Sequence, residues 1–340
     1  MSSLSDVRLS VLDLSPIPSG SDASAALRNT LDLARHTERL GYHRFWVAEH
    51  HNMPGIASSA TAVLIGHVAD ATEKIRVGSG GIMLPNHAPL IVAEQFGMLE
   101  AFHPGRIDLG IGRAPGTDQR TALAVRGSMA ALRADDFPQQ LTELMNYFEP
   151  DDDRAVNAIP AVGHKPPFWL LGSSGFSAQL AGALGLPFAF AHHFSARNTV
   201  PAARLYRESF RPSETLSEPY LMLGVAVVAA ETDERAQWLT APSGLSFLSL
   251  RRNRPIPLPT PEEAAEYPYT ELERAAIAER LNGTIIGAPE TVRKGMEKLL
   301  SDTGADELMV TTMVHGHADR LRSYDLVAEL APSGASPTLP

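Results

Sequence analysis

Short apolar runs alternate with longer segments of helical periodicity along most of the chain, and this alternation is its strongest constraint on folding. Serial strand–helix units favour a parallel sheet whose strands are joined by right-handed helical crossovers. The predicted strands cover residues 7–14, 44–48, 75–84, 106–112, 168–172, 187–191, 220–230 and 307–313. Eight such units favour a closed (β/α)8 barrel, the TIM barrel of the α/β class, over an open doubly wound sheet.

The chain is longer than such a barrel requires. A (β/α)8 barrel needs about 250 residues, whereas this chain has 340. We place the surplus in two insertions, at about 113–166 after strand 4 and at about 241–288 after strand 7. We expect residues 1–330 to form a single domain and residues 331–340 to be a disordered tail.

The second insertion contains the segment RRNRPIPLPTPEEAAEYPYT, which follows a helix predicted over 233–239. Its clustered prolines are incompatible with regular structure, because proline lacks the backbone N–H and clashes within a helix. We therefore predict that this segment is an active-site lid or a mobile loop.

Composition excludes several classes of function. The chain contains no cysteine, so disulfides, thiol nucleophiles and cysteine-ligated metal sites are impossible. A net charge of −10 argues against nucleic-acid binding, which requires clustered basic residues. The N-terminus does not resemble a signal peptide, and no apolar segment approaches the roughly 20 residues that span a bilayer. We expect a cytoplasmic protein with no nucleic-acid or membrane partner.

Two predicted strands end in pairs of histidines. Glu49, His50 and His51 follow strand 2, and His192 and His193 follow strand 6. Chemistry in these barrels lies at the carboxyl ends of the strands, where histidine can act as an acid–base catalyst or a metal ligand. The residues alone leave three alternatives open: metal ligands, acid–base catalysts or polar turns.

The segment LLGSSGFSAQLAG predicts a strand, a turn of small residues and a helix. Such a turn exposes backbone N–H groups and the positive end of a helix dipole, which together bind phosphate. Ser174 and Ser177 could add hydroxyl donors, although a plain helix N-cap is the alternative. Arg113, after the strand in GIGRAPG, could hold an anionic group or be a surface arginine. That segment nearly matches a dinucleotide-binding motif, but Pro115 replaces its third glycine.

Three glycines fall within four residues of predicted strand 3, at Gly78, Gly80 and Gly81. Glycine is unfavourable inside a strand unless a backbone or a ligand must approach closely. A flat ring stacked near Gly80–Gly81 would explain these glycines, and a β-bulge is the alternative explanation.

Taken together, these segments resemble the bacterial luciferase-like flavin-dependent monooxygenases, over about 7–240 and 283–328. The resemblance rests on LDLSPI, LGYHRFWVAEHHNMPGIASSA, IRVGSGGIMLPNHAPLIVAEQFGMLEAFHPGRIDLGIGRAPG and WLLGSSGFSAQLAGALGLPFAFAHHF. The light-emitting members carry a reactive cysteine where this chain has Gly112. This difference and the FAHHF segment favour the single-subunit, non-light-emitting branch.

The resemblance implies a monooxygenase that uses reduced FMN as co-substrate and O2 to oxygenate a small organic molecule with an apolar part. It further implies a separate NAD(P)H:flavin reductase and a homodimer that packs helices 2 and 3 across a two-fold axis. His50 matches the catalytic histidine, and we expect Glu49 to orient it or to raise its pKa. The expected flavin contacts are Gly80 and Gly81, which match a cis peptide, together with Arg113, Ser173, Ser174, Gly175, Phe176 and Ser177. The expected substrate contacts are His51, His192, His193 and Phe194, and no metal is expected.

Three rival functions remain open from the sequence. A deazaflavin-dependent dehydrogenase could use the same barrel for hydride transfer without oxygen. A metal-dependent hydrolase could use His50, His51, His192 and His193 as ligands. The third rival is a flavin-binding protein without catalytic activity.

Overall fold

The computed structural model describes residues 4–114, 116–127 and 136–331. The strands within these ranges are β1 (Arg8–Asp13), β2 (Arg44–Val47), β3 (Arg76–Ser79), β4 (Ile82–Met83), β5 (Ile107–Gly112), β6 (Phe168–Gly172), β7 (Phe188–Phe190), β8 (Leu221–Ala229), β9 (Thr284–Gly287) and β10 (Glu307–Thr311). All strand pairs are parallel, and the order β1-β2-β3-β5-β6-β7-β8-β10 closes where β10 pairs with both β8 and β1. The predicted eight-stranded (β/α)8 barrel is therefore confirmed.

Helices connect successive strands and cover the outside of the barrel. They are α1 (Ala23–Arg39), α2 (Thr61–Ala71), α3 (Pro89–Phe102), α4 (Gln119–Arg126), α5 (Phe137–Asn146), α6 (Gly175–Ala183), α7 (His192–Ser195), α8 (Thr199–Ser209), α9 (Asp233–Arg251), α10 (Pro261–Glu266), α11 (Glu271–Leu281), α12 (Pro289–Thr303) and α13 (His317–Leu330). Within the described ranges, no helix is both long enough and apolar enough to span a bilayer.

The two extra strands are short additions to the barrel. The single strand predicted over 75–84 is interrupted by a cis peptide bond between Gly80 and Gly81, so that β3 ends at Ser79 and β4 resumes at Ile82. β4 pairs with β5, whereas β9 extends the far end of β8.

The segment predicted as the second insertion is more regular than expected. The helix predicted over 233–239 continues as α9 to Arg251 in spite of Pro242. Its buried leucines, Leu239, Leu245 and Leu248, continue on both sides of the proline, and burial of this face compensates for the lost backbone hydrogen bond.

The proline-rich segment also contains two helices that were not predicted. Thr260 and Glu263 form a capping box at the start of α10, and Pro261 occupies its first turn. Thr270 and Glu273 form a second capping box at the start of α11. Only residues 252–260 and the short link at 267–270 lie outside helices in this part of the insertion. The predicted tail at 331–340 lies, apart from its first residue, outside the described residues.

A cluster of charged side chains lies inside the barrel near the amino ends of its strands. Arg44 Nη1 lies 2.7 Å from Asp108 Oδ2, and Arg44 Nε lies 3.0 Å from Glu307 Oε1. Arg76 Nη2 lies 2.6 Å from Asp108 Oδ1, and Trp46 Nε1 donates to Asp108 Oδ2 at 3.0 Å. These ion pairs close the bottom of the barrel, at the end opposite to the candidate site.

Candidate active site

A cavity of about 1270 Å³ opens at the carboxyl ends of the barrel strands. It is larger than the roughly 300–1,000 Å³ of ordinary ligand pockets, so it has room for two ligands at once. Its floor and walls come from the strand ends, and its roof comes from the insertion after β8, through Phe247, Leu250, Ile256, Leu258 and Arg280.

The roof is attached to the barrel by backbone hydrogen bonds. Leu258 N donates to Ile17 O at 2.9 Å, and Ser19 N donates to Leu258 O at 2.8 Å. Ser19 Oγ also donates to Glu263 Oε2 at 3.1 Å. The segment predicted to be a lid therefore covers the cavity and is held to the loop that follows β1.

The cavity brings together most of the residues that the sequence analysis selected. His50, Gly80, Arg113, Ser173, Ser174, Ser177, His193 and Phe194 line it. Glu49, His51, Gly81, Gly175, Phe176 and His192 do not line it and lie behind or beside its wall.

His50 is held in the cavity wall with an unsatisfied ring nitrogen. Its backbone N–H donates to Ser58 O at 3.0 Å, whereas its Nδ1 is buried and has no hydrogen-bond partner among the described residues. Burial lowers the pKa of His50 below its usual 6.5 and outweighs the charge of Glu49, which raises it. His50 is therefore a neutral imidazole at pH 7, able to accept a proton.

Glu49 lies behind the cavity wall and does not hydrogen-bond His50, contrary to the expected orienting contact. Its carboxylate accepts from Met83 N at 2.9 Å, Asn86 Nδ2 at 3.1 Å, His87 Nε2 at 2.9 Å and His51 Nε2 at 2.9 Å. Burial alone would raise the pKa of Glu49, but these donors lower it to about 2. Glu49 thus holds β4, His51 and His87 in place around His50. The Nε2 atom of His51 is occupied by this hydrogen bond to Glu49.

The start of α6 forms a cradle suited to a phosphate. Ser174 is its N-cap residue, yet the Ser174 side chain makes no capping hydrogen bond, so first-turn N–H groups remain available to a ligand. Ser173, Ser174 and Ser177 line the cavity beside Arg113. The Arg113 guanidinium carbon lies 4.5 Å from the centroid of the Phe176 ring, which positions the charge through a cation–π contact.

Gly80 forms part of the cavity floor, and the cis geometry of the Gly80–Gly81 peptide behind it agrees with the expectation from the resemblance. There is no space for side chains on this segment. A Cβ atom on Gly80 would lie 2.5 Å from Leu12 Cδ1, and one on Gly81 would lie 2.7 Å from Gly110 O. A flat backbone surface with no side chains allows an aromatic ring system to approach closely.

The second histidine pair, His192 and His193, begins the short helix α7. The two imidazole rings have different hydrogen-bond partners. His193 Nδ1 lies 2.8 Å from Gly224 O and donates to it. Burial foremost, helped by the charge of Arg280, lowers the pKa of His193 to about 4. His192 Nδ1 instead pairs with Thr199 Oγ1 at 2.7 Å, away from the cavity lining.

The metal-hydrolase alternative requires His50, His51, His192 and His193 to meet at one metal ion. Of these four histidines, only His50 and His193 line the cavity. Among the described residues, no group of three or more His, Asp or Glu side chains is arranged to hold a metal ion.

Several lining residues have no counterpart in the sequence analysis. They are Arg280, from α11, and a set of apolar side chains that includes Met53, Met222, Met309, Met313 and Phe247. The repeated Thr-x-x-Glu pattern at 260–263 and 270–273 could have predicted the two roof helices. No local pattern indicates which of their side chains faces the barrel.

These residues fit a phosphorylated flavin such as FMN. The α6 start and Arg113 suit its phosphate, the Gly80–Gly81 floor suits a flat ring, and the unpaired Nδ1 of His50 is available to a ligand. Phe194, 62 % exposed at the rim, and the methionines leave an apolar region beside that ring position.

Comparison with known proteins agrees with this geometry. A family model described as luciferase-like monooxygenase matches residues 7–307. A luciferase-like monooxygenase from Escherichia coli (strain K12) is 46% identical, with 95% of this chain and 97% of its own length covered. An N-acetyl-S-alkylcysteine monooxygenase from Bacillus subtilis (strain 168) is 36% identical, with 95% and 98% covered. The crystal structure of apo-MsnO8 superposes with a TM-score of 0.89 at 38% identity, with 95% and 98% covered.

Proposed function

This chain belongs to the luciferase-like monooxygenase family, and from that premise we propose that it is an FMN-dependent monooxygenase. Reduced FMN is its co-substrate and O2 its oxidant. The observation that carries the proposal is the convergence of an uncapped helix start, Arg113, the Gly80–Gly81 floor and a neutral His50 on one cavity. The chain has no complete dinucleotide-binding motif, so a separate NAD(P)H:flavin reductase supplies the reduced flavin.

Different parts of the cavity wall bind different parts of the flavin in this proposal. The α6 N–H groups, Ser174, Ser177 and Arg113 hold the phosphate, because they concentrate donors and positive charge at one end of the cavity. Gly80 supports the ring system. When bound, reduced FMN supplies two electrons for O2 activation, so that one oxygen atom enters the substrate and the other leaves as water.

His50 is the acid–base residue in this proposal. Since burial holds the imidazole neutral at pH 7, it can take a proton from the reacting centre and return it. The roof formed by Phe247, Ile256 and Leu258 excludes water, which suppresses unproductive release of hydrogen peroxide.

The substrate is a small organic molecule with an apolar part. Met53, Met222, Met309 and Met313 line the cavity together with several leucines, and flexible thioether side chains adapt to varied apolar groups. The N-acetyl-S-alkylcysteine monooxygenase of Bacillus subtilis is 36% identical over nearly the whole chain, which makes thioethers the first compounds to test.

Single-turnover mixing tests the proposed function. Anaerobic protein with photoreduced FMN is mixed with 18O2 and a panel of thioethers, and flavin absorbance and product mass are followed. We expect the protein to change the rate of flavin reoxidation and one product to gain a single 18O atom. Reoxidation at the free-solution rate, with no labelled product, would reject the monooxygenase. Reduction of a deazaflavin by an alcohol would then establish the dehydrogenase alternative.

We also propose that the protein is a homodimer that packs α2 and α3 against a second copy. Ile91, Met98 and Phe102 are exposed along one face of α3, and Val63 is exposed on α2. Exposed apolar side chains of this kind are typical of an interaction surface.

A charged residue in this face is expected to separate the subunits. Phe102 is 74% exposed, so Phe102→Asp should leave the fold intact while placing a carboxylate in the interface. We expect a dimeric wild type and a monomeric variant in sedimentation velocity at micromolar concentration. Leu272→Asp, at an 81% exposed position on α11, is the matched control and should remain dimeric. A monomeric wild type, or a dimeric Phe102→Asp variant, contradicts the proposal.

A further inference from the structure

Arg280 brings a second cation into the cavity wall, on a different element from Arg113. It lies near the end of α11 in the roof insertion and lines the cavity. Its Nη1 donates to His193 O at 2.6 Å, and its guanidinium carbon lies 5.8 Å from the centroid of the Phe194 ring. These two contacts fix the position of the guanidinium group but leave most of its five N–H donors without an acceptor among the described residues.

The contacts of Arg280 differ from those of fully buried arginines in the barrel. Within the described ranges, no Asp or Glu forms an ion pair with Arg280, and its neighbours Glu279 and Glu273 pair with Arg197 and Arg252 instead. Two fully buried arginines do have carboxylate partners. Arg44 is paired with Asp108 and Glu307, and Arg320 Nη2 lies 2.7 Å from Asp13 Oδ1. Burial lowers the pKa of Arg280, with no opposing contribution from an acidic group. A half-buried guanidinium without a counter-ion is unfavourable unless a ligand supplies the charge.

The position of Arg280 assigns that charge to the substrate rather than to the flavin phosphate. The phosphate cradle lies at the ends of β5 and β6, whereas Arg280 contacts the residues that follow β7. His193 connects Arg280 to the catalytic region, because Arg280 Nη1 donates to His193 O at 2.6 Å and the His193 side chain lines the same cavity as His50. The apolar roof residues Leu250 and Ile256 also line this cavity.

We infer that Arg280 binds a carboxylate on the substrate, whose alkyl part then lies beneath the apolar roof. The identification of this anion as the substrate rests on the proposed function, but binding of an anion at Arg280 requires neither flavin nor oxygen. A guanidinium group suits this task because its planar donors can bind both oxygens of a carboxylate.

Calorimetry with a charged ligand and its neutral counterpart tests the inference. Octanoate and octanamide have the same chain length, and at pH 7 only octanoate carries a charge. We expect the wild-type protein to bind octanoate about 10- to 100-fold more tightly, as for a charge-assisted hydrogen-bonded pair. Arg280→Met should abolish this preference while retaining the packing against Phe194.

Arg274→Met is the matched control. Arg274 lies on the same helix, donates to Tyr269 O at 3.0 Å and lies over the Tyr269 ring, but it does not line the cavity. This variant should keep the full preference for octanoate. Equal affinity for both ligands in the wild type, or a preserved preference in Arg280→Met, would overturn the inference.

A comparison of FMN and riboflavin binding distinguishes the two possible sources of the anion, the substrate and the flavin phosphate. If Arg280 serves the substrate, Arg280→Met retains the preference of the wild type for FMN over riboflavin. Loss of that preference would assign Arg280 to the flavin phosphate and reject the substrate carboxylate. Failure of flavin binding by the wild type would instead reject the proposed function, while the octanoate measurement would still decide the anion site.

Discussion

Replacing His50 with alanine is expected to lower the oxygenation rate about 100- to 10,000-fold, the usual contribution of a positioned acid–base group. The fold should persist, because the buried Nδ1 of His50 has no hydrogen-bond partner to lose and its backbone bond to Ser58 O remains. The measurement is the single-turnover yield of 18O-labelled product, with FMN affinity and melting temperature determined for the same sample. Unchanged oxygenation in a folded His50→Ala protein would remove His50 from the mechanism.

The pH profile of the wild type provides a second test of the same role. Burial lowers the pKa of His50 below 6.5, so the neutral base is fully present at pH 7. The rate should therefore fall only in acid, as pH drops through that lowered pKa, and this limb should be missing from the residual rate of His50→Ala. His164→Ala, at an exposed position outside the cavity lining, should behave as the wild type does. A rate that rises on acidification would mean that the protonated imidazole is the active form.

The barrel could be predicted from the sequence because each of its strands is marked locally. Buried runs such as Arg44–Val47 and Ile107–Gly112 alternate with amphipathic segments such as Ala23–Arg39, and eight repeats favour closure. The roof helices α10 and α11 were not predicted, because clustered prolines disfavour regular structure. Pro261 stands in the first turn of α10, where its missing N–H has no intrahelical partner to lose.

The candidate site was predicted in part, and its departures have simple geometric reasons. Adjacent residues of a helix face different directions, so His192 and His193 cannot both face the cavity from α7. Neighbouring side chains at the end of a strand also diverge, which places His50 in the wall and Glu49 behind it. Arg280 was missed because its role depends on how an insertion folds back over the barrel, and no spacing in the sequence encodes that contact.

The buried ion pairs at the bottom of the barrel were also beyond local prediction. Arg44, Arg76, Asp108 and Glu307 come from four strands, and each stands alone in its own apolar run. Their side chains meet because each is the first or second residue of its strand and points into the barrel. A charged residue at such a position is uncommon unless it is paired. The sequences of these strands therefore indicate that each charged residue has a partner, but they do not identify it.

Asp108→Asn is expected to have the largest effect on stability, a loss of about 3–5 kcal/mol in the free energy of unfolding. Asp108 is fully buried and accepts hydrogen bonds from Arg44, Arg76 and Trp46. Asparagine keeps the shape but removes the charge, and its amide N–H groups would face arginine donors. The measurement is urea unfolding at pH 7 and equal protein concentration, followed by tryptophan fluorescence.

The pH dependence of this loss identifies its electrostatic origin. Burial raises the pKa of Asp108, but Arg44 and Arg76 outweigh burial and hold it below its usual 3.8. The stabilisation is therefore complete above the unfolded-state pKa and is lost as pH falls through the lower folded-state value, so the difference between wild type and variant should shrink in acid. Asp302→Asn, which breaks the exposed Lys298–Asp302 pair, should cost no more than about 0.5 kcal/mol. A cost for Asp108→Asn as small as that of the control, or one that does not change with pH, would show that the buried charge of Asp108 does not stabilise the barrel.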